Sequence, residues 1–186
     1  MKTLASVELY CITSDSWSDA PDLNVSRCCH SSCTLGDRVY VVGGFQYAIL
    51  RNLNSIEYIN AEDFLAHRDG SVWVQIEVDN STLRPRNFCI FCPVSSREIV
   101  IMGGFNWDDE RDLGDVLVFD TEDETFTRLA WDGGRFKNQN NASAMLKLGK
   151  ISALITHGED HRIVNYSLGD TCFELVKEIL SDDDSD

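Results

Sequence analysis

Arg27-Cys-Cys-His-Ser-Ser-Cys-Thr-Leu-Gly-Asp-Arg-Val-Tyr-Val-Val-Gly-Gly44 decides the fold, because the chain says it twice. The second statement is Arg86-Asn-Phe-Cys-Ile-Phe-Cys-Pro-Val-Ser-Ser-Arg-Glu-Ile-Val-Ile-Met-Gly-Gly104, and the two Gly-Gly pairs lie 60 residues apart. Each copy runs from an arginine through an apolar segment, a polar turn and a β-branched strand into two glycines. A third, weaker copy spans residues 142–148, turns at Gly149 and Lys150, continues through residues 152–156 and ends on His157-Gly158. Repetition at a fixed period is the mark of stacked supersecondary units.

A second motif alternates with the first. Ser6-Val-Glu-Leu-Tyr10, Ser55-Ile-Glu-Tyr-Ile59, Asp115-Val-Leu-Val-Phe119 and Arg162-Ile-Val-Asn-Tyr166 align as short alternating strands. An aromatic follows seven residues later in three of them, Tyr10 to Trp17, Phe119 to Phe126 and Tyr166 to Phe173. The remaining copy spaces Ile59 from Trp73 by fourteen, which places an insertion within residues 61–72. Short β-rich runs separated by turn residues are the pattern of an all-β chain. Only residues 61–68 have a helical composition.

The order of arginine, apolar strand, Val-Tyr-Val-Val-Gly-Gly, Ser-Val-Glu-x-Tyr and a later Trp resembles the kelch repeat. The resemblance implies a kelch-type β-propeller in which each repeat is one four-stranded blade. The blades would be residues 24–80, 81–130 and 135–177, preceded by a half blade at 1–23 and followed by an acidic disordered tail at 178–186. Residues 1–23 supply only the two outer strands of a blade. About three and a half blades fall short of the four to eight of closed propellers, so the expected fold is partial and open. Trp17, Arg27, Gly43, Gly44, Trp73, Arg86, Gly103, Gly104, Phe126 and Phe173 are the structural repeat positions. Trp17 and Trp73 are expected to be buried between adjacent blades, with Phe126 in the same place in its own blade.

Composition narrows the function. The 186 residues carry 16 Lys plus Arg against 31 Asp plus Glu, a formal net charge of −15. Such a balance opposes binding to nucleic acid or anionic membrane, which needs clustered positive charge. No stretch of the sequence approaches the 18 or more apolar residues that span a bilayer, and no secretory signal is evident. The seven cysteines are an odd number and scattered, so a cytoplasmic chain with free thiols is expected.

The sharper alternatives are weak. Cys89-x-x-Cys92 with Cys28-Cys29-His30-x-x-Cys33 offers zinc-type ligands, but Cys33 and Cys92 fall at equivalent positions of innermost strands. Residues three apart on a strand point to opposite faces, so Cys28, Cys33, Cys89 and Cys92 are expected to be buried structural thiols. His157 and His161 bracket a loop rather than a helical zinc motif. No catalytic residues, cofactor or metal are expected, and the chain is expected not to be an enzyme. The alternative class is an enzyme or enzyme subunit of the kelch-like oxidase or sugar-epimerase kind. The expected function is a protein–protein interaction scaffold of unidentified partner. Its candidate binding rim is Phe45, Gln46, Tyr47, Arg51, Asn52, Phe105, Asn106, Trp107 and Asp108, in the loops after the Gly-Gly pairs. Unclosed blade faces also predict self-association, since bare edges recruit other chains.

Overall fold

The computed structural model describes residues 2–66 and 71–131 and, further on, the backbone of four strands between residues 143 and 179. The chain divides into two compact units, Met1–Asn87 and Phe88–Asp186. In the first unit, β1 (Val7–Cys11) and β2 (Ser16–Ala20) form an antiparallel hairpin. Next come β3 (Ser31–Leu35), β4 (Arg38–Val42), a small hairpin of β5 (Phe45–Gln46) with β6 (Arg51–Asn52), β7 (Ile56–Asn60), the six-residue helix α1 (Ala61–Ala66) and β8 (Val74–Ile76). Strands β3-β4-β7-β8 pair in that order as an antiparallel sheet, with Tyr40 opposite both Cys33 and Tyr58. The helix occupies the insertion between β7 and β8.

Alternation along β4 builds two packed faces, because successive strand residues point to opposite sides. Val41, with Val39 beside it, meets Leu23, Ile59 and Trp73 in a core that Ala5 and Val7 of the N-terminal segment also join. On the other face Tyr40 packs on Tyr58 at 5.5 Å between ring centroids, and the Arg38 guanidinium lies 4.6 Å from the Tyr58 ring. The N-terminal segment is held to this sheet by polar contacts too: the Trp73 indole N–H donates to Pro21 O at 2.8 Å.

The second unit holds β9 (Ile90–Pro93), β10 (Glu98–Met102), the small hairpin β11 (Phe105–Asn106) with β12 (Arg111–Asp112), β13 (Val116–Asp120) and β14 (Thr125–Trp131). It continues with β15 (Ser143–Lys147), β16 (Ser152–His157), β17 (Asp160–Ser167) and β18 (Cys172–Ile179). The run Ile99-Val-Ile-Met102 is buried on both faces, as an unbroken apolar strand requires. Val100 and Met102 join Ile90, Val94, Val116, Val118 and Leu129 in the core of this unit, with Cys92 and Trp131 packed against it. Strands β9-β10-β13-β14 and β15-β16-β17-β18 are both antiparallel meanders, and a short parallel pairing of Ala130 with Cys172 and Trp131 with Phe173 joins β14 to β18. The first strands of the two meanders, β9 and β15, also lie against each other.

The fold class is all-β: small antiparallel sheets, among them the four-stranded meander β3-β4-β7-β8. Backbone conformation carries the repeat below the level of residue identity. Left-handed φ angles recur in pairs at matching positions: Cys29 and Phe88 (55° and 53°), Leu50 and Glu110 (53° and 48°), Gly43 and Gly103 (61° and 63°). Asp15 and Glu124 form another such pair, in the turns of β1–β2 and β13–β14.

Three sequence expectations are corrected. Trp17 is 67% exposed, against an expectation of burial. Its local setting is the expected one, stacked on Tyr10 at 5.0 Å as Phe126 stacks on Phe119 at 4.9 Å. What differs is cover: Phe119 lies under the β10 pairing and is fully buried, whereas β1 has no strand on its other side among the described residues. The cysteines are less buried than expected, with Cys89 inside but Cys28, Cys33 and Cys92 only half-buried. These three sit on or beside the short first strands β3 and β9, which have a neighbour on one side only in their antiparallel meanders. Finally, β18 continues to Ile179, past the expected start of the tail at 178, because β17 offers partners as far as His161 opposite Ile179. Residues 180–186 lie outside the described residues.

Candidate functional site

The two small hairpins after the Gly-Gly pairs carry the residues assigned to the rim, one hairpin in each unit. Gly43 and Gly44 launch the first. Their φ angles of 61° and 100° suit glycine, and a Cβ on Gly43 would collide with the Arg86 carbonyl oxygen. A Cβ on Gly44 would lie 2.8 Å from Cys28 O. The close approach is used: Gly44 N–H donates to Arg86 O at 2.7 Å, and Gly43 N–H to Ser55 O at 3.1 Å.

From this root the hairpin is stitched to its surroundings. Cys28 and Phe45 exchange backbone bonds of 3.0 and 2.8 Å, and Leu53 N–H donates to Gly44 O at 2.8 Å. The Gln46 side-chain amide reaches Ser26 Oγ at 3.4 Å. Phe45 and Tyr47 meet edge to face at 5.0 Å. Beyond them the turn of residues 47–50 ends on Leu50 at positive φ, and Ile49 and Leu50 stand 56% and 69% exposed. Arg51 beside them is exposed as well.

The second hairpin repeats this scaffold with another tip. Gly103 N–H donates to Asp115 O at 3.1 Å and Leu113 N–H to Gly104 O at 2.8 Å. Phe105 and Trp107 again meet edge to face, at 4.9 Å. The turn residues are Trp107, Asp108, Asp109 and Glu110, all exposed, with Arg111 reaching Asp109 at 3.0 Å. One tip is therefore apolar and the other acidic.

Two rim assignments do not hold. Asn52 and Asn106 are buried, so neither can meet a partner. The Asn52 amide donates to Gly44 O at 3.4 Å, and Asn106 Oδ1 accepts the Asp109 N–H at 3.0 Å, so both shape their own hairpins. Ile49 and Leu50, exposed between Tyr47 and Arg51, are not among the residues assigned to the rim; their signal in the sequence is an apolar pair in a turn, where polar residues are the rule. Phe45, Gln46, Tyr47 and Phe105 are half-buried, and Arg51, Trp107 and Asp108 are exposed.

The repeat arginines stand inside the protein. Arg27 is 3% exposed, and its guanidinium pairs with the fully buried carboxylate of Glu57 while donating to Gly43 O at 2.6 Å and Ser55 Oγ at 3.2 Å. Glu57 also accepts the backbone N–H of Asn24 at 2.7 Å and of Val25 at 3.3 Å. Desolvation pulls the Arg27 pKa down and Glu57 pulls it up, but an arginine stays charged in either case. Arg86 is fully buried; its backbone N–H donates to Leu53 O at 3.0 Å and its Nε to Arg84 O at 3.0 Å. Trp73 is 4% exposed and Phe126 half-buried, and the Phe173 side chain lies outside the described residues.

Among the described residues, no three His, Cys, Asp or Glu side chains are placed to hold a metal ion. Nor is any helix among them long and apolar enough to cross a membrane. His67, His157 and His161 lie outside the residues whose side chains are described.

The kelch motif family matches residues 26–63, from just before Arg27 through Gly43, Gly44 and Glu57 into α1. No curated protein matches the chain. The matched segment is the one in which the Arg27–Glu57 pair and the first hairpin are built.

Proposed function

We propose that this chain is a non-catalytic protein-interaction module that binds a protein partner through its hairpin tips, above all the tip of β5–β6. The exposed Ile49 and Leu50, carried on a hairpin anchored at both ends, are the observation that carries the reading. Apolar side chains held out on a rigid base lose little freedom on binding, and aromatic and arginine neighbours such as Tyr47 and Arg51 are the types enriched at binding hot spots. A net charge of −15 favours a protein partner over nucleic acid or an anionic membrane. A cytoplasmic location, and blades at 24–80, 81–130 and 135–177 after a half blade at 1–23, belong to the same reading.

The test compares proteins captured from cells by the wild-type chain and by Ile49→Asp, Leu50→Asp and Ala48→Ser variants. A partner retained by Ala48→Ser and lost by both Asp variants, with melting unchanged, supports the tip. Equal capture by all four overturns it. Stoichiometric copper or zinc in the purified protein would turn the reading toward the enzymatic class.

A further inference from the structure

Cys28 and Cys29 are the chain's only adjacent cysteines. Neighbouring side chains of an extended strand point to opposite faces, which would part the two thiols. Here the alternation is broken. Cys29 takes a left-handed φ of 55°, and its side chain is hydrogen-bonded to that of Cys28. The bend belongs to the fold rather than to the cysteines, since Phe88, two residues after the matching Arg86, has a φ of 53°. Asn87 and Phe88 stand there in place of the two thiols, so the second copy builds the same bend and no dithiol.

One member of the pair is anchored and the other is open to solvent. Cys28 exchanges backbone hydrogen bonds of 3.0 and 2.8 Å with Phe45, and its thiol donates to Phe45 O at 3.6 Å. Cys29 is exposed. Desolvation, followed by the hydrogen bond to Cys28, pushes the Cys29 pKa up to about 11, so it keeps its proton at neutral pH.

Geometry narrows what such a pair takes up. The peptide between the two residues is trans, so their Cα atoms lie about 3.8 Å apart. Ordinary disulfides span about 4.4–6.8 Å, and a direct bond here would be strained. A structural zinc site needs four ligands, and no third His, Cys, Asp or Glu joins the pair among the described residues. An acceptor that takes two sulfurs and brings its own third substituent meets both limits, because an atom inserted between the sulfurs lengthens the bridge.

We propose that Cys28 and Cys29 form a two-thiol site for a trivalent organoarsenical, a thiophilic centre already bonded to one carbon group. With an arsine oxide, two As–S bonds form, the two thiol protons leave with the oxygen as one water, and arsenic stays trivalent. No oxidant or reductant takes part. Occupation removes the Cys28 S–H that donates to Phe45 O, so the root of the β5–β6 hairpin registers it. The site does not depend on the reading given for the hairpin tip.

The probe is phenylarsine oxide, titrated into the reduced full chain with glutathione in excess and followed by intact-protein mass spectrometry. The expected product carries one phenylarsenic group in place of two thiol hydrogens, resists glutathione and is released by a small dithiol. Cys28→Ser and Cys29→Ser should each weaken retention about a hundredfold or more, since the second thiol otherwise binds at the effective concentration of a tethered neighbour. Cys11→Ser and Cys33→Ser should leave it unchanged. Amide shifts in the wild-type chain should centre on residues 27–30 and Phe45, which locates the adduct even where a serine variant melts early. Equal retention by the Cys28 and Cys29 variants, loss with Cys33→Ser or Cys89→Ser, or shifts centred elsewhere would each overturn the proposal. So would an adduct that glutathione strips, or loss of two hydrogens without arsenic, which is the mark of a direct disulfide.

Discussion

Glu57→Leu is the most searching perturbation of the first unit. The new residue is the one β13 already carries at the matching position, Leu117, so the strand tolerates the side chain itself. What changes is electrostatic. Arg27 keeps its charge in a site where neither side chain of the pair is exposed, and two backbone N–H groups lose their acceptor. Removing one partner of a buried ion pair costs about 3–5 kcal/mol, and each N–H left wanting adds about 1 kcal/mol at the low end appropriate to partly buried groups. The sum is about 5–7 kcal/mol, or a fall in melting temperature of roughly 10–30 °C for a chain of this length. Arg27→Met should cost a similar amount, since it leaves Glu57 as the stranded charge. The double variant should be better than the sum of the two by about 3 kcal/mol, because an apolar pair strands no charge. Urea denaturation followed by tryptophan fluorescence gives all four corners of the cycle. Single variants costing under about 1 kcal/mol, or a double variant equal to the sum, would refute the reasoning.

Other outcomes follow from packing and titration. Trp73→Ala should lose about 3–5 kcal/mol through a cavity in the Leu23–Val41–Ile59 core, while Trp17→Ala should lose about 1 kcal/mol or less with its exposed Tyr10 stack; thermal melts compare them. Cys11 should label fastest with a thiol reagent, because hydrogen bonds from Ser14 lower its pKa. Cys29, though exposed, should label slowly at neutral pH and speed up in alkali, since desolvation and then the Cys28 thiol push it up to about 11. Cys89 should wait for denaturant. The Asp79 carboxylate accepts bonds from the Ser81 and Thr82 side chains and amides, which hold it down at about 2. A depressed carboxylate stabilises the fold above its unfolded pKa and ceases to as pH falls through the folded value. NMR titration should therefore find the 79–82 turn intact at pH 4 and loosening toward pH 2; an ordinary midpoint near 4 would contradict it.

Much of this was legible in the sequence because the chain repeats itself, and what repeats was read well. Gly43 and Gly44 announce a close backbone approach, and Gly103 and Gly104 announce it again. Arg27 could be recognised as a repeat position, but whether it faced the interior or the rim turned on Glu57, thirty residues away, and on which side chains converge in three dimensions. Trp17 shows the opposite limit. Its alignment with Phe126 was correct in local detail, down to the stacked ring, but burial belongs to the neighbours of a strand and not to the strand. Asn52 and Asn106 read as polar loop residues; only the hairpin geometry reveals that their amides turn back on their own loop. The parallel bridge between β14 and β18 has no sequence signal, since it uses backbone groups alone.

The two Gly-Gly hairpins keep Phe45 and Phe105, Arg51 and Arg111 at matching places of their bases and differ most in their turns, with Tyr-Ala-Ile-Leu in one and Trp-Asp-Asp-Glu in the other. In both, the left-handed residue is the last of the four, and it is a leucine in one and a glutamate in the other. The bend is thus imposed by the anchored ends and is indifferent to the side chain it bends. If the tips bind as proposed, recognition and foldability are written in separate places: a tip can change from greasy to acidic in four consecutive codons without touching a core residue. Each hairpin is an exchangeable bit on a fixed shank, and exchanging residues 47–50 for the sequence of 107–110 should alter what the protein binds while leaving how it folds untouched.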